Sequence, residues 1–352
     1  KIKKFNVKQI NFQKSRKPLI ICGPLNENYN LENIINLAKR INAPILADNL
    51  SQLRFSKYSK NVNVYYDLYI NAIVNKPDLI LRFGDKPVSK NLNKFIDLNK
   101  KITHLIYPFG LFNDDCKNII SLDDNQLDNI KIKSTNDKLL NEIHELELKS
   151  SQKINRLISN SNSQANIVMQ TLKILQNNDK IFIGSSTIIR TFDQFSNRSN
   201  LNIQMLSNHV TRGIDGTVSS ALGMASTNKK TKNYLFIGDI SLFYDLNGLH
   251  ILRTTKIDLT IIVFNNKGGQ IFSRLPYSNN DIKEFEQFWI TPLKTKIKNI
   301  AKLYNLTYYR ASKKNINEII IKSKNKKGIT IIEVKINNKK DMSFIGKVNK
   351  TI

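Results

Sequence analysis

Two polar residues at the ends of apolar runs carry the chemistry this sequence offers most plainly. Asp239 closes the run Tyr234 to Ile237 after Gly238. Asn266, 27 positions further on, follows the run Leu259 to Phe264 and opens the turn Asn266-Lys267-Gly268-Gly269. A carboxylate, an amide oxygen and free carbonyls at a glycine turn are hard oxygen ligands. Such a set suits Mg²⁺, which is usually held by one or two protein groups together with substrate phosphates. The same residues also describe a plain buried strand pair with a capping Asp and an Asn-Gly turn, and spacing alone leaves both readings open.

The elements that must position them follow from the pattern. Short apolar runs bounded by Gly and Asn read as buried strands, and Leu242 to Arg253 between them is long enough for a crossover helix. That is a β-α-β unit with its polar residues at the carboxyl ends of both strands, where open α/β sheets bind ligands. Upstream, Pro18 to Cys22, Ala43 to Ala47, Leu79 to Leu81 and Ile102 to Tyr107 read as strands, with helices over Leu31 to Ile41 and Tyr65 to Val74. A polar helical stretch from Asn136 to about Ser159 precedes Ser-Asn-Ser-Asn-Ser, and the domain boundary is placed there. Beyond it come a helix over Ile167 to Leu175, a strand over Lys180 to Ile183 and a Gly-punctuated, small-residue helix ending at Met224. Phe285 to Thr291, a helix near Leu293 to Tyr304 and a strand over Ile329 to Ile336 complete the series. The expected fold class is α/β: two doubly wound, mainly parallel-sheet domains, residues 1–160 and 161–352. The first strand is not followed by G-x-G-x-x-G, so a nicotinamide site is not indicated.

Composition narrows the class. A chain of 352 residues, 40% hydrophobic, is long enough for two ordinary domains. No apolar stretch reaches the roughly 18 residues that span a bilayer. Cys22 and Cys116 stand far apart, make no metal or redox spacing, and fit reduced thiols in a cytoplasm. The net charge of +27 suggests nucleic acid, yet the lysines are scattered and Asn and Ile are equally abundant, as in a basic surface spread over the whole molecule. The polar, basic Lys1 to Lys17 reads as a linker arriving from something upstream.

Five segments together resemble the thiamine-diphosphate enzymes, and within them the MenD family: Pro44 to Arg54 (PILADNLSQLR), Leu81 to Lys90 (LRFGDKPVSK), Gly213 to Ala225 (GIDGTVSSALGMA), Ile237 to Leu249 (IGDISLFYDLNGL) and Asn265 to Pro276 (NNKGGQIFSRLP). The resemblance covers nearly the whole chain. It implies a central domain and a diphosphate-binding domain, with thiamine diphosphate and Mg²⁺ or Mn²⁺ as cofactors. The implied reaction is decarboxylation of 2-oxoglutarate and addition of the succinyl carbanion to isochorismate, in menaquinone or phylloquinone biosynthesis. It further implies a cytoplasmic homo-oligomer, dimer or tetramer, and an activating glutamate in an N-terminal pyrimidine-binding domain that this chain does not match. No catalytic residue for cofactor activation is therefore assigned, and the chain is expected to be a fragment.

By that resemblance Asp239 and Asn266 hold the metal through side-chain oxygens and Gly268 through its carbonyl. Gly238 and Ser241 lie against the diphosphate, and Ile214, Ile271, Phe272 and Leu275 form an apolar wall. Ser186 and Arg190, in SSTIIR, match a carboxylate anchor in which Ser185 replaces the family's Asn, and Lys90 matches the central domain's basic contribution. An arginine can grip a carboxylate bidentately, as a lysine cannot. Where the family has arginine after Asn208 this chain has His209, and an arginine stands three places on, at Arg212; either Arg212 supplies the charge or that anchor is lost. His104, His144 and His250 read as ordinary surface or core histidines. Two other readings are weighed: another thiamine-diphosphate 2-oxo-acid decarboxylase or acetolactate-synthase-like enzyme, which needs no such anchors, and a non-catalytic basic nucleic-acid-binding protein.

Overall fold

The structure is a computed structural model; it describes residues 10–12, 15–107, 114–122, 124–132, 136–209, 211, 213–227, 230–275, 278 and 284–350. The chain divides into two units. One takes the residues up to Asn155 together with Asp193–Leu201, the other Arg156–Phe192 with Asn202–Lys350.

The first unit contains strands β1 (Ile10–Asn11), β2 (Pro18–Cys22), β3 (Ile45–Ala47), β4 (Val62–Asn63), β5 (Leu79–Phe83), β6 (Thr103–Ile106), β7 (Ile119–Ile120) and β8 (Ile130–Lys131). Six of them form a parallel sheet in the order β4-β3-β2-β5-β6-β7, while β1 pairs with β8. Every residue of β2, β3 and β5 is buried. Continuous apolar runs rather than alternation are what a parallel sheet covered on both faces requires. The strand order reverses between β2 and β5, the place where such sheets open a ligand crevice. Here protein fills it: Gly23 lies so close to the Asp85 carbonyl that a β-carbon would stand 1.8 Å away, and Asp85 N–H donates to the Pro24 carbonyl. The expected helix over Tyr65 to Val74 is only a short α-helical turn, Tyr66–Tyr69, followed by a 3₁₀ turn, Ile70–Ala72. Buried Glu147 accepts from Val64 N–H, Tyr65 N–H and the Tyr69 hydroxyl, which fixes where that turn begins.

The second unit is a second parallel sheet of β9 (Lys180–Ile183), β10 (Gln204–Leu206), β11 (Asn233–Gly238), β12 (Leu259–Asn265), β13 (Thr307–Ala311) and β14 (Ile329–Lys335), in the order β10-β9-β11-β12-β14-β13. Both units are thus α/β and doubly wound, as expected. The small-residue helix, Thr217–Thr227, lays Val218, Ala221, Leu222 and Ala225 into one core with Leu235, Ile237, Ile261 and Val263 of β11 and β12. Small side chains there let the helix sit close to the sheet. The crossover expected as one helix is two pieces, a helix Asp239–Tyr244 and a 3₁₀ stretch Leu246–Arg253. The break at Asp245 has a use: its carboxylate accepts from the Ser219 N–H (2.7 Å) and hydroxyl (3.0 Å), capping the Thr217 helix.

Candidate active site

In the second unit the strand order reverses between β9 and β11, so the crevice lies at their carboxyl ends. A cavity of about 450 Å³ occupies it, lined by Ser185 and Ser186 beyond β9, Gly238, Asp239 and Ser241 beyond β11, and Asn266 and Gly268 beyond β12. Gly238 pairs with Phe264 in register, so Asp239 and Asn266 do leave neighbouring strands side by side.

Asp239 is 2% exposed. Its Oδ1 accepts from Ile240 N–H at 2.9 Å and its Oδ2 from Gly268 N–H at 3.0 Å. Burial outweighs these donors and pushes the carboxyl up to about 6. One terminus of the Asn266 side-chain amide lies 2.9 Å from the Gly268 carbonyl oxygen and 3.3 Å from Asp239 Oδ1. With nitrogen there, the amide donates to both. With oxygen there, it stands 2.9 Å from the Gly268 carbonyl oxygen, about the edge of an octahedron with the 2.0–2.1 Å bonds of Mg²⁺, and 3.3 Å from Asp239 Oδ1. Turning one amide over thus converts a hydrogen-bonded cluster into a set of oxygen ligands, and the residues present fit a small divalent cation. Gly268 is needed for the turn itself. Its φ is +123°, and a β-carbon would meet the Ile290 carbonyl oxygen at 2.3 Å. At Gly238, by contrast, a β-carbon would meet no atom within 4 Å, so the strand end opens onto free space.

Ile214, Ile271 and Phe272 line the same cavity. Phe272 meets Trp289 edge-to-face with centroids 5.5 Å apart. Trp289, the only tryptophan of the chain, Phe288, Tyr244, Gln164 and Gln270 also line it. None of these five was legible from spacing. The π-helical segment Phe285–Ile290 that carries Phe288 and Trp289 is tied to the glycine turn by Gly269 N–H, which donates to the Ile290 carbonyl at 2.6 Å.

Ser186, Arg190 and His209 lie on the wall as well. Ser186 holds φ +77°, a left-handed conformation uncommon for a side chain other than glycine. Its carbonyl accepts from Arg190 Nη1, one turn into the helix Thr187–Phe195. The hydroxyl of Ser185 is buried with no hydrogen-bond partner among the described residues. His209 is 8% exposed.

One residue expected on the apolar wall, Leu275, is not among the residues that line the cavity. Leu275 follows the 3₁₀ turn Phe272–Arg274, and its carbonyl accepts from the Ser278 N–H and hydroxyl. Lys90 is exposed at the start of the helix Lys90–Leu98 in the first unit. Arg212 lies outside the described residues.

A parallel doubly wound sheet, a glycine-bearing turn that gathers oxygen ligands and a cavity at the switch point define a class. Residues 183–334 match the model of the thiamine pyrophosphate enzyme, C-terminal TPP binding domain, so this part of the chain carries a domain of the thiamine-diphosphate enzymes. Within that class its relatives are 2-succinyl-5-enolpyruvyl-6-hydroxy-3-cyclohexene-1-carboxylate synthases, the MenD family. The chain is 30% identical to the synthase of Desulfitobacterium hafniense over 84% of this chain and 54% of that protein. It is 32% identical to the synthase of Listeria monocytogenes serotype 4b (86% and 54%) and 33% identical to that of Lactococcus lactis subsp. cremoris (85% and 55%). The chain spans about half the length of these curated relatives.

Proposed function

We propose that this chain supplies the central and diphosphate-binding domains, residues 1–160 and 161–352, of a 2-succinyl-5-enolpyruvyl-6-hydroxy-3-cyclohexene-1-carboxylate synthase. Its substrates in this reading are 2-oxoglutarate and isochorismate, and its setting is menaquinone or phylloquinone biosynthesis in the cytoplasm. The observation that carries the reading is the meeting, in one cavity, of the Asp239-Asn266-Gly268 oxygen cluster with Ser186 and Arg190.

Asp239, Asn266 and the Gly268 carbonyl hold Mg²⁺ or Mn²⁺, which neutralises the diphosphate that Gly238 leaves room for, beside Ser241. When bound, thiamine diphosphate supplies the carbon nucleophile and the electron sink for decarboxylation of a 2-oxo acid. Ile214, Ile271 and Phe272 exclude water from the reacting carbon. Arg190, oriented by the Ser186 carbonyl, takes a substrate carboxylate, with Ser186 as a neutral donor beside it. His209 gives that wall a weaker, titratable donor where the family has arginine, and Arg212 and Lys90 are the further cationic candidates for a dianionic substrate. Activation of the aminopyrimidine is assigned to no residue of this chain. The working form is a homo-oligomer.

The test has two parts. Thiamine diphosphate with Mg²⁺ should quench the emission of Trp289, and neither component alone should do so fully. The assembled enzyme should then release CO₂ from 2-oxoglutarate only with both cofactors. Preferential turnover of pyruvate would replace this reading by that of an acetolactate-synthase-like enzyme.

A further inference from the structure

The turn that carries Asn266 and Gly268 is unfavourable in isolation. Lys267 has φ +63° and Gly268 φ +123°, and only the first of these belongs to a residue with a β-carbon, for which the left-handed region is strained. Something must hold Lys267 there. Asn265, the last residue of β12, does so directly, since its Oδ1 accepts from Lys267 N–H at 3.2 Å. An amide can do this only with its oxygen toward the turn. The other end of the amide decides that orientation: Asn265 Nδ2 donates to Glu333 Oε1 at 2.8 Å. Glu333 is 5% exposed, stands on β14 opposite Val263, and its second oxygen accepts from the Tyr308 hydroxyl of β13. Burial and the Glu333 carboxylate push the Tyr308 phenol up to about 12, so it stays a donor across the working pH range.

We propose that Glu333 is a positioning residue for the cation-binding turn, acting through the Asn265 amide. This rests on the reading of Asp239, Asn266 and Gly268 as cation ligands. Glu333 touches neither the cavity nor the ligands. It sets the polarity of one amide, that amide holds Lys267 in a left-handed conformation, and Lys267 places the Asn266 side chain and the Gly268 carbonyl against Asp239. If Glu333 is removed, the Asn265 amide is free to turn its nitrogen toward the Lys267 N–H, where two donors face each other and the turn loses its tie.

Mg²⁺ titrations of this chain in the presence of thiamine diphosphate, read by Trp289 emission and accompanied by thermal melts, test the idea. Glu333→Ala should weaken Mg²⁺ binding about tenfold. Glu333→Gln should stay close to the parent, because its oxygen accepts from Asn265 and its nitrogen donates to the Tyr308 oxygen. Asn265→Asp keeps the bond to Lys267 but sets two carboxylates against each other, and should weaken binding at least as much. Combining Asn265→Asp with Glu333→Gln should restore binding, because donor and acceptor have exchanged places. This exchange remains readable even if Glu333→Ala does not fold. Equal Mg²⁺ affinity in all four variants and the parent, or no recovery in the combined variant, overturns the inference while leaving the site reading intact. A parent chain without Mg²⁺-dependent response sinks the site reading, and the inference with it.

Discussion

At the scale of single residues the site is a contest between burial and ligation. Asp239 is taken out of water beside two N–H donors, and an ionised carboxylate in that place calls for a cation. We predict that Asp239→Ala abolishes Mg²⁺-dependent binding of thiamine diphosphate, a loss of more than about 100-fold by calorimetry. Binding that survives would remove the ligand assignment. Gly268→Ala tests the turn rather than the ligand. With φ at +123° and the Ile290 carbonyl in the way, it should destabilise the second unit by about 1–3 kcal/mol and weaken the cofactor with it. Arg190→Lys keeps the charge and loses the planar fork. It should raise KM for 2-oxoglutarate roughly tenfold at unchanged cofactor affinity, and an unchanged KM would make Arg190 a structural residue.

At the scale of elements, precision comes from helices held close to a sheet and from short pieces in place of long ones. Ala221 sits in the core between the Thr217–Thr227 helix and β11 and β12, fully buried. Enlarging it by Ala221→Leu must push the helix away, at about 1–3 kcal/mol, with a lower melting temperature and a weaker Trp289 response. A melt indistinguishable from the parent would show slack that the packing denies. The same helix begins beside Asp245, whose carboxylate replaces a missing backbone partner at Ser219. The break in the crossover between β11 and β12 is therefore a capping device, not a defect of the helix. The segment Phe285–Ile290 is likewise tied from outside, by a backbone bond from Gly269 to Ile290, and its aromatic residues line the cavity without any periodic signature.

At the scale of the whole molecule, charge is distributed in two ways. The surplus of basic residues is spread over the sequence, whereas several acidic side chains are buried in both units, Asp48, Glu147 and Asp193 among them in the first. Asp48 accepts from Leu50 and Val88 N–H at 2.8 and 2.7 Å. Asp193 pairs with Arg54 at 2.9 Å and accepts from the Tyr66 hydroxyl. Burial first, and then the charge of Asp193, push Asp48 up to about 7 from an ordinary 3.8. A carboxyl whose folded value exceeds its unfolded one binds its proton more tightly in the folded state. Its contribution to stability is fully present below about pH 4 and is lost as the pH rises through 7. Asp67, raised to about 6 mainly by burial, acts in the same sense. We therefore predict that the melting temperature of the first unit falls between pH 5 and pH 8 and that Asp48→Asn flattens the slope; a slope of opposite sign would contradict the burial of these carboxyls.

The sequence by itself determined the α/β alternation and the likeness to thiamine-diphosphate enzymes, and it singled out Asp239 and Asn266 as oxygen-bearing residues at strand ends. These are properties of short windows: a buried parallel strand must be apolar throughout, and a turn that brings carbonyls to a cation must contain glycine. Asp239 and Asn266 could be singled out for that reason, whereas Ser186 and Arg190 were read only from a resemblance to a family motif. The bend in the crossover, the strands Gln204–Leu206 and Thr307–Ala311, and the aromatic wall of Tyr244, Phe288 and Trp289 could not, because contacts between distant residues create them. Leu275 was placed on the wall by its motif and is not among the residues that line the cavity. Only the tertiary structure decided that the cavity lies where the strand order reverses, and that Glu333, on another strand, meets the Asn265 amide next to the turn. Strand order and side-chain orientation are settled by pairing over long range, and local sequence carries no record of which strand will be the neighbour.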